Sequence, residues 1–202
     1  QIIIIDDFST DGSREFLIKN SVKNNYNLIL HKKNLGKGAA IKSAQKYVEG
    51  DYVIIQDADL EYSPKDYVKF INTVSQTNFK VIYGSRVLIK DRKNKINGFS
   101  HKFRIFGNQI LTVISNLLNN QKLTDAHTCY KMIEAELFKS IKLCENGFAF
   151  CPEITTKLSK KGIEILEIPI NYNGRTYKEG KKIKTIHALE ALIALIKYRF
   201  FK

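Results

Sequence analysis

A strand-like segment that ends in acidic residues is the feature that most constrains how this chain can fold. An apolar, β-branched run over residues 52–55 stops at three carboxylates spaced two residues apart, Asp57, Asp59 and Glu61. A short continuous apolar run is typical of a strand covered on both faces, as in a parallel sheet. Carboxylates this close repel one another unless a cation lies among them, and their hard oxygens suit Mg²⁺ or Mn²⁺. A solvated acidic turn is the alternative interpretation.

The first ninety residues alternate between strand-like and helix-like segments. Short apolar runs occur at residues 2–5, 28–30, 52–55 and 81–83. Turn or capping residues followed by helical spacing separate them, and Pro64 is suited to the first turn of one such helix. This β-α-β-α-β-α-β order predicts an α/β fold with a mostly parallel sheet flanked by helices.

The second half of the chain departs from this alternation. A basic loop covers residues 90–97, and apolar residues recur at helical spacing over 101–119. Strands are predicted at 128–133 and 163–168, with a helix starting at Pro152 between them. We divide the chain into a main domain, residues 1–183, and a C-terminal amphipathic basic helix, residues 184–202.

The charge balance predicts an anionic partner. The chain has 33 Lys and Arg residues against 20 Asp and Glu residues, a formal net charge of +13. Such a surface suits nucleic acid, a membrane surface or a phosphorylated substrate. The three cysteines are odd in number and lack CxxC spacing, which argues against a disulfide framework or a zinc site and favours a cytoplasmic setting. We find no run long enough to span a membrane.

Three predicted strands end in residues whose side chains could bind a ligand or take part in a reaction. In open α/β sheets, ligands bind outside the carboxyl ends of the strands. The first strand ends at Asp7, the third at Asp57 and Asp59, and the fourth just before Arg86. Asp7 could accept hydrogen bonds from a nucleobase or ribose, Asp57 and Asp59 could hold ribose or a metal, and Arg86 could bind a phosphate through two hydrogen bonds.

Each of these motifs also has a structural interpretation. Asp6 or Asp11 could cap the following helix, and we prefer that role for Asp11. The glycine-containing segment 34–38 lacks the spacing of a phosphate-binding P-loop and could be a turn that opens a helix. Arg86 alone could be a surface arginine.

Taken together and in order, the motifs resemble those of a known family. They lie at residues 3–13, 34–39, 50–61, 83–86, 124–131, 150–153 and 172–182. This ordered set resembles family 2 glycosyltransferases of GT-A fold, in particular the dolichyl- or polyprenyl-phosphate sugar synthases. Individually each motif is modest, and the resemblance covers nearly the whole chain.

The resemblance implies a role for each matching residue. For the donor, it implies that Asp7 and Lys37 border the nucleobase. It further implies that Asp57, Arg175 and Lys181 contact the donor, and that Asp57, Asp59 and Glu61 hold the metal. For the acceptor phosphate, it implies Arg86, Arg104 and Asn108. Asp59 and Arg86 would then take part in catalysis, with Mg²⁺ or Mn²⁺ as cofactor.

The chain departs from the family pattern in two places. The family's first strand, with its Pro-x-x-Asn-Glu motif, would lie before Gln1, so we expect residues 1–183 to be an N-terminally truncated GT-A domain. The family usually has glycine where this chain has Phe8. That substitution raises the question of whether the loop after the first strand keeps its shape.

The implied reaction is inverting transfer of a hexose from a nucleotide-diphospho-sugar (GDP- or UDP-hexose) to a polyprenyl phosphate, dolichyl or undecaprenyl. One alternative is a transferase with a polysaccharide or other hydroxyl acceptor, for which Asp125 is the candidate catalytic base; Asp125 could instead be a hydrogen-bonded structural acid. Another is a nucleic-acid-binding or non-catalytic nucleotide-binding module. We expect no nucleic-acid partner, because the sequence lacks an RNP-like aromatic motif.

The C-terminal helix, residues 185–201, is predicted to lie on the cytoplasmic face of a membrane. Its apolar face and the terminal Phe200 and Phe201 suit an interfacial helix among anionic lipids. A helix packed on the sheet, with a basic tail, would give the same pattern.

Overall fold

The strands of this α/β protein form two sheets, which meet the helices on both faces. The computed structural model describes residues 1–89, 99–175 and 186–201, with the side chains of 99–104 outside that description. In one sheet β1 (Ile3–Asp6) pairs in parallel with β2 (Asn27–Leu30). The second sheet has four strands, in the order β3 (Tyr52–Ile54), β5 (Lys131–Glu134), β4 (Val81–Ser85) and β6 (Leu166–Pro169).

The described residues contain seven α-helices. They are α1 (Ser13–Asn24), α2 (Lys37–Gln45), α3 (Tyr67–Gln76), α4 (Phe99–Asn119), α5 (Ala135–Ser140), α6 (Phe150–Lys160) and α7 (Ile186–Phe200). A 3-10 turn, Pro64–Asp66, leads into α3 and confirms the predicted start at Pro64. The short helix α5 was not predicted from the sequence.

The strands follow one another along the chain in the predicted order. Most strands of the larger sheet run in one direction. β3, β4 and β6 point the same way, whereas β5 is antiparallel to both of its neighbours, β3 and β4. The hydrophobic periodicity of a sequence indicates which residues are buried and not the direction of a strand. The antiparallel direction of β5 could therefore not be predicted from it.

The prediction of a strand from residue 128 was wrong at its start, because β5 begins at Lys131. A turn at residues 126–127 precedes β5, and β6 holds the residues before that turn. Glu167 on β6 accepts hydrogen bonds from the backbone N–H groups of Thr124 and Asp125, at 2.6 and 2.9 Å.

The core lies on both sides of β4, which is buried along its whole length. Val81 and Tyr83 pack into one apolar cluster with Phe150 and Ile154 of α6. Ile82 faces the opposite cluster, which also contains Phe70, Tyr130 and Ile170. This alternation follows from the two-residue period of a strand. Because both faces of β4 are packed in this way, the position of Arg86, the residue after the strand, is fixed.

Candidate functional site

The acids after β3 are each paired with a basic residue of the same chain. Lys37, the first residue of α2, donates to both oxygens of Asp57, at 2.6 and 2.7 Å. Arg175 donates to Asp59 at 2.8 Å, and its backbone N–H donates to Glu61 at 2.8 Å. The mutual repulsion that the sequence predicts among these acids is therefore relieved by cations from distant parts of the chain.

The backbone of the acidic segment is strained between two of its acids. Leu60 has a φ of 61° and is 88% exposed, so it takes up a left-handed conformation with little packing in return. The turn lets the Glu61 N–H donate to the Asp59 side chain at 3.1 Å. Strain of this kind is concentrated at functional sites. Tyr172 also donates to Glu61, at 2.8 Å.

Lys37 holds its charge at this site although it is largely buried. Burial disfavours the ammonium, but its contacts with Cys129 and Asp57 together outweigh that effect and raise the pKa of Lys37. The Cys129 thiol lies 2.8 Å from the same ammonium nitrogen. Burial and the neighbouring Asp57 charge raise the pKa of Cys129 to about 12, so the group beside Lys37 is a neutral thiol.

The acids fit a metal ion that is bound together with a substrate. Within the described ranges, no three His, Cys, Asp or Glu residues lie close enough together to hold an ion by themselves. Mg²⁺ usually binds through one or two carboxylates, with phosphate and water oxygens completing the shell. Asp57 and Asp59 keep 23% and 24% of their side-chain surface exposed, so both are accessible to such an ion.

Arg86 and Asp125 form a buried pair at the end of β4. The Arg86 side chain donates to both Asp125 oxygens, at 2.6 and 2.7 Å, and the Arg86 backbone N–H donates to one of them at 3.1 Å. Glu167 fixes the turn that carries Asp125. The guanidinium carbon of Arg86 also lies 5.1 Å from the centre of the Tyr172 ring, a cation–π contact.

This pairing favours the structural interpretation of Asp125. Burial would raise its pKa, but the Arg86 charge and hydrogen bonds outweigh burial and hold the pKa below its usual value. A carboxylate that is kept ionised and accepts hydrogen bonds at both oxygens is a poor proton acceptor. The proposal that Asp125 acts as a base for a hydroxyl acceptor therefore has no support in this geometry.

Asp7 lies at the end of β1 and is enclosed by the loop before α2. It accepts hydrogen bonds from the backbone N–H groups of Leu35, at 2.8 Å, and Gly36, at 2.7 Å. His31 Nδ1 lies 2.7 Å from the same carboxylate, and His31 Nε2 lies 2.9 Å from the Ser43 hydroxyl. Burial opposes the charge of Asp7, but these hydrogen bonds lower its pKa overall.

The loop after β1 keeps a left-handed residue even though glycine is absent. Phe8 has a φ of 66°, and the Arg14 guanidinium carbon lies 5.3 Å from the centre of its ring. The Asp11 side chain accepts a hydrogen bond from the Ser13 N–H at the start of α1, at 3.1 Å. The N-cap residue of α1 is Gly12, so Asp11 lies one residue before the capping position predicted for it.

The structure describes only part of the predicted acceptor site. Asn108 is partly buried on α4, and no hydrogen bond within the described residues joins it to Arg86. The Arg104 side chain and Lys181 lie outside the described residues. Their roles remain predictions.

Sequence reasoning missed several residues that hold the site together. His31 follows the last residue of β2, so the strand-end rule that found Asp7 and Arg86 would also have found it. Glu167 is an acid inside an apolar strand, which is itself a signal of a buried polar contact. No local signal marks Cys129, because its contact with Lys37 joins residues far apart in the sequence.

The sequence profile described as Glycosyl transferase family 2 matches residues 1–142, which is most of the chain. The chain therefore belongs to glycosyl transferase family 2.

Curated relatives share modest identity with the chain. It is 28% identical to the dolichyl-phosphate beta-glucosyltransferase ALG5A of Trichomonas vaginalis, over 100% of this chain and 62% of that protein. It is 25% identical to the low-salt glycan biosynthesis hexosyltransferase Agl6 of Haloferax volcanii, over 86% of this chain and 40% of that protein. It is also 25% identical to an undecaprenyl-phosphate 4-deoxy-4-formamido-L-arabinose transferase of Photorhabdus laumondii, over 82% of this chain and 48% of that protein. The chain thus spans about two fifths to three fifths of their length.

A solved structure confirms the predicted GT-A fold. Glucosyl-3-phosphoglycerate synthase from Mycobacterium tuberculosis, in complex with Mn²⁺ and UDP-glucose, superposes with a TM-score of 0.62. The match covers 98% of this chain and 67% of that chain, at 14% sequence identity.

Proposed function

We propose that this protein is an inverting glycosyltransferase that moves a hexose from a nucleotide-diphospho-sugar to a polyprenyl phosphate. Relatives named for dolichyl-phosphate and undecaprenyl-phosphate transfer support this proposal. The paired acids and bases at the ends of β1, β3 and β4 support it too, since they suit a substrate that carries phosphates.

The Arg86–Asp125 pair is the observation that favours a phosphate acceptor over a hydroxyl. A hydroxyl has to lose its proton during attack, whereas a lipid phosphate is already an anion. Its oxygen attacks the anomeric carbon, the bond to the donor diphosphate breaks with its electron pair, and no proton is transferred. Asp125 can then stay ionised beside Arg86, as its lowered pKa requires.

Arg86 retains donors for that acceptor phosphate. Its two side-chain bonds to Asp125 use two of the five N–H groups of a guanidinium. We assign the remaining three to the acceptor phosphate, with Arg104 and Asn108 joining from α4. This arrangement would hold the nucleophile close to the donor and reduce the entropic cost of attack.

The leaving diphosphate would be bound by the cations that now contact the acids. Lys37 and Arg175, with Lys181 from the same late basic segment, would bind its oxygens. Asp57 and Asp59, with Glu61 as a further ligand, would hold Mg²⁺ or Mn²⁺. That ion would neutralise part of the charge that develops on the diphosphate.

We further propose that α7 contacts a membrane, at its cytoplasmic face. No helix in the described ranges is both long and apolar enough to cross a bilayer. One face of α7 is nevertheless apolar and exposed, through Ile186, Leu189, Ile193, Ile196 and Phe200. The opposite face of α7 packs against the rest of the protein through Ala194, Leu195 and Tyr198. The helix would therefore contact lipid with its exposed face while its buried face stays attached to the main domain.

Transfer of label from donor to lipid tests the reaction. The protein is incubated with a polyprenyl phosphate, Mg²⁺ or Mn²⁺ and a panel of labelled UDP- and GDP-hexoses, and label is expected in the organic extract. Asp59→Ala should abolish both transfer and Mn²⁺-dependent donor binding, whereas Asp51→Ala, at an exposed acid before β3, should preserve them. No label in the organic extract with any donor would exclude the lipid acceptor, and intact Mn²⁺ and donor binding in Asp59→Ala would exclude the metal assignment.

Vesicle sedimentation tests the membrane contact. Binding to vesicles with anionic lipid is expected for the unaltered protein and should be lost in Ile193→Glu. Val22→Glu makes the same change at an exposed apolar residue on α1 and serves as the control. Equal binding by both variants would argue against docking through α7.

A further inference from the structure

The hydrogen bonds around Asp7 leave room for one more. An ionised carboxylate has about four acceptor positions, two on each oxygen. Oδ1 of Asp7 has two partners, His31 Nδ1 at 2.7 Å and the Leu35 N–H at 2.8 Å. Among the described residues Oδ2 has one partner, the Gly36 N–H at 2.7 Å. The Asp7 side chain is 21% exposed, so a ligand can reach it, and the position still open is on Oδ2.

The loop that supplies these N–H groups is fixed in place. Gly36 has a φ of 95°, and a Cβ there would lie 2.7 Å from the carbonyl oxygen of Asn146. The Ala39 N–H donates to that same Asn146 oxygen, at 3.0 Å. Because the loop is packed against residue 146, it cannot easily withdraw its two N–H groups from Asp7 when a ligand binds.

His31 is held just as firmly on the other side of Asp7. Its ring is buried, and the Ser43 hydroxyl lies 2.9 Å from Nε2. With Nδ1 donating to Asp7, a neutral ring accepts the Ser43 hydroxyl hydrogen at Nε2. Ser43 therefore fixes the orientation in which the ring occupies one acceptor position of Asp7.

We infer that His31 is a specificity-determining residue that limits Asp7 to a base with one imide N–H, uracil or thymine, and disfavours guanine. This inference rests on the proposed function, in which Asp7 binds the donor nucleobase. Guanine presents two adjacent donors, the N1–H and the N2 amino group, which pair best with both oxygens of one carboxylate. Here Oδ1 is fully occupied, so one of those donors would lose its partner on binding. An unpaired buried donor costs about tenfold or more in affinity.

Calorimetry with four nucleotides on the unaltered chain, in the presence of Mn²⁺, tests this inference. UDP and 5-methyl-UDP share the imide and should each bind about tenfold more tightly than GDP. N3-methyl-UDP lacks the N–H and should bind about tenfold more weakly than UDP. GDP binding as tightly as UDP, or N3-methyl-UDP binding as tightly as UDP, would overturn the inference.

Two substitutions at His31 separate its hydrogen bond from its bulk. His31→Leu removes the bond to Asp7 and frees Oδ1, so the preference for UDP over GDP should fall by about tenfold. His31→Asn can place an amide N–H near the position of Nδ1 and should keep most of the preference. Thermal unfolding shows whether each variant is folded. If His31→Leu is not, the four-nucleotide comparison on the unaltered chain still tests the predicted preference for the uracil base and can overturn it.

The outcomes distinguish this inference from the proposed function. If UDP binds but the preference over GDP is the same in His31→Leu as in the unaltered chain, His31 has no role in specificity and the proposed transferase stands. If none of the four nucleotides binds, the proposed donor site fails and the inference fails with it.

Discussion

Arg86 and Asp125 form a bidentate ion pair that joins the end of β4 to the turn before β5, with both side chains largely withdrawn from solvent. Each partner depends on the other, because an isolated charge at this depth would be costly. The pair also aligns Arg86 at the edge of the sheet where the acids after β3 lie. Its integrity is therefore a condition for both folding and the proposed acceptor site.

Replacing Asp125 with Asn should destabilise the fold. The change removes the negative charge and leaves the Arg86 guanidinium without a counter-ion, so the free energy of unfolding should fall by about 3 kcal/mol. Urea unfolding measures this loss. If Asp125 were instead a catalytic base, Asp125→Asn would abolish transfer while leaving the urea midpoint unchanged. The double variant Arg86→Gln/Asp125→Asn, compared with both single variants, gives the coupling between the two residues.

Lys131 should make the stability of the protein rise with pH. Lys131 is fully buried, where it donates to the Ala126 carbonyl at 3.0 Å, and burial lowers its pKa from 10.5 to about 8. Between these values the unfolded chain binds a proton that the folded protein does not, so raising the pH disfavours unfolding. The free energy of unfolding of the unaltered protein, relative to Lys131→Met, should increase by up to about 1.4 kcal/mol per pH unit from pH 8 to 10.5. Parallel curves for the two proteins would contradict this prediction.

Much of the site could be predicted because strand ends are local features. The apolar run before Asp57 and Asp59 and the run before Arg86 each identified a buried strand and the residue at which it ends. The partners of those residues could not be predicted in the same way. Lys37 reaches Asp57 across 20 positions and Arg175 reaches Asp59 across 116, and such contacts depend on how the sheets and loops pack.

The hydrophobic pattern of the sequence also could not predict the local backbone conformation. Phe8 stands where a glycine is expected, yet the backbone keeps the left-handed turn. The two residues before it, Asp6 and Asp7, are held by Arg14, His31 and the loop before α2. Burial of charged residues was likewise invisible in the sequence. Lys131 and Glu153 look like surface residues by type, but both are fully buried.

Phe8→Gly should stabilise the protein. A non-glycine residue in the left-handed region costs about 1–2 kcal/mol, and glycine removes that cost while giving up the contact with Arg14 and some chain entropy. The net gain in the free energy of unfolding should be up to about 1 kcal/mol. Phe8→Ala keeps the strain and loses the ring, so it should be less stable than the unaltered protein. A gain in Phe8→Ala equal to that in Phe8→Gly would show that the backbone is not strained.

Glu153→Gln should destabilise the segment that supports the loop around Asp7. Glu153 is fully buried at the start of α6, where it accepts hydrogen bonds from the N–H groups of Cys144 and Glu145, at 2.6 and 2.8 Å, and from Lys157 at 2.6 Å. A glutamine offers one accepting oxygen, and its amino group would face an N–H donor, so the free energy of unfolding should fall by about 2 kcal/mol. Chemical denaturation measures the change, with Glu136→Gln on the surface of α5 as the control, expected to shift stability by less than about 0.5 kcal/mol. Equal effects of the two substitutions would mean that the buried hydrogen bonds of Glu153 contribute nothing specific.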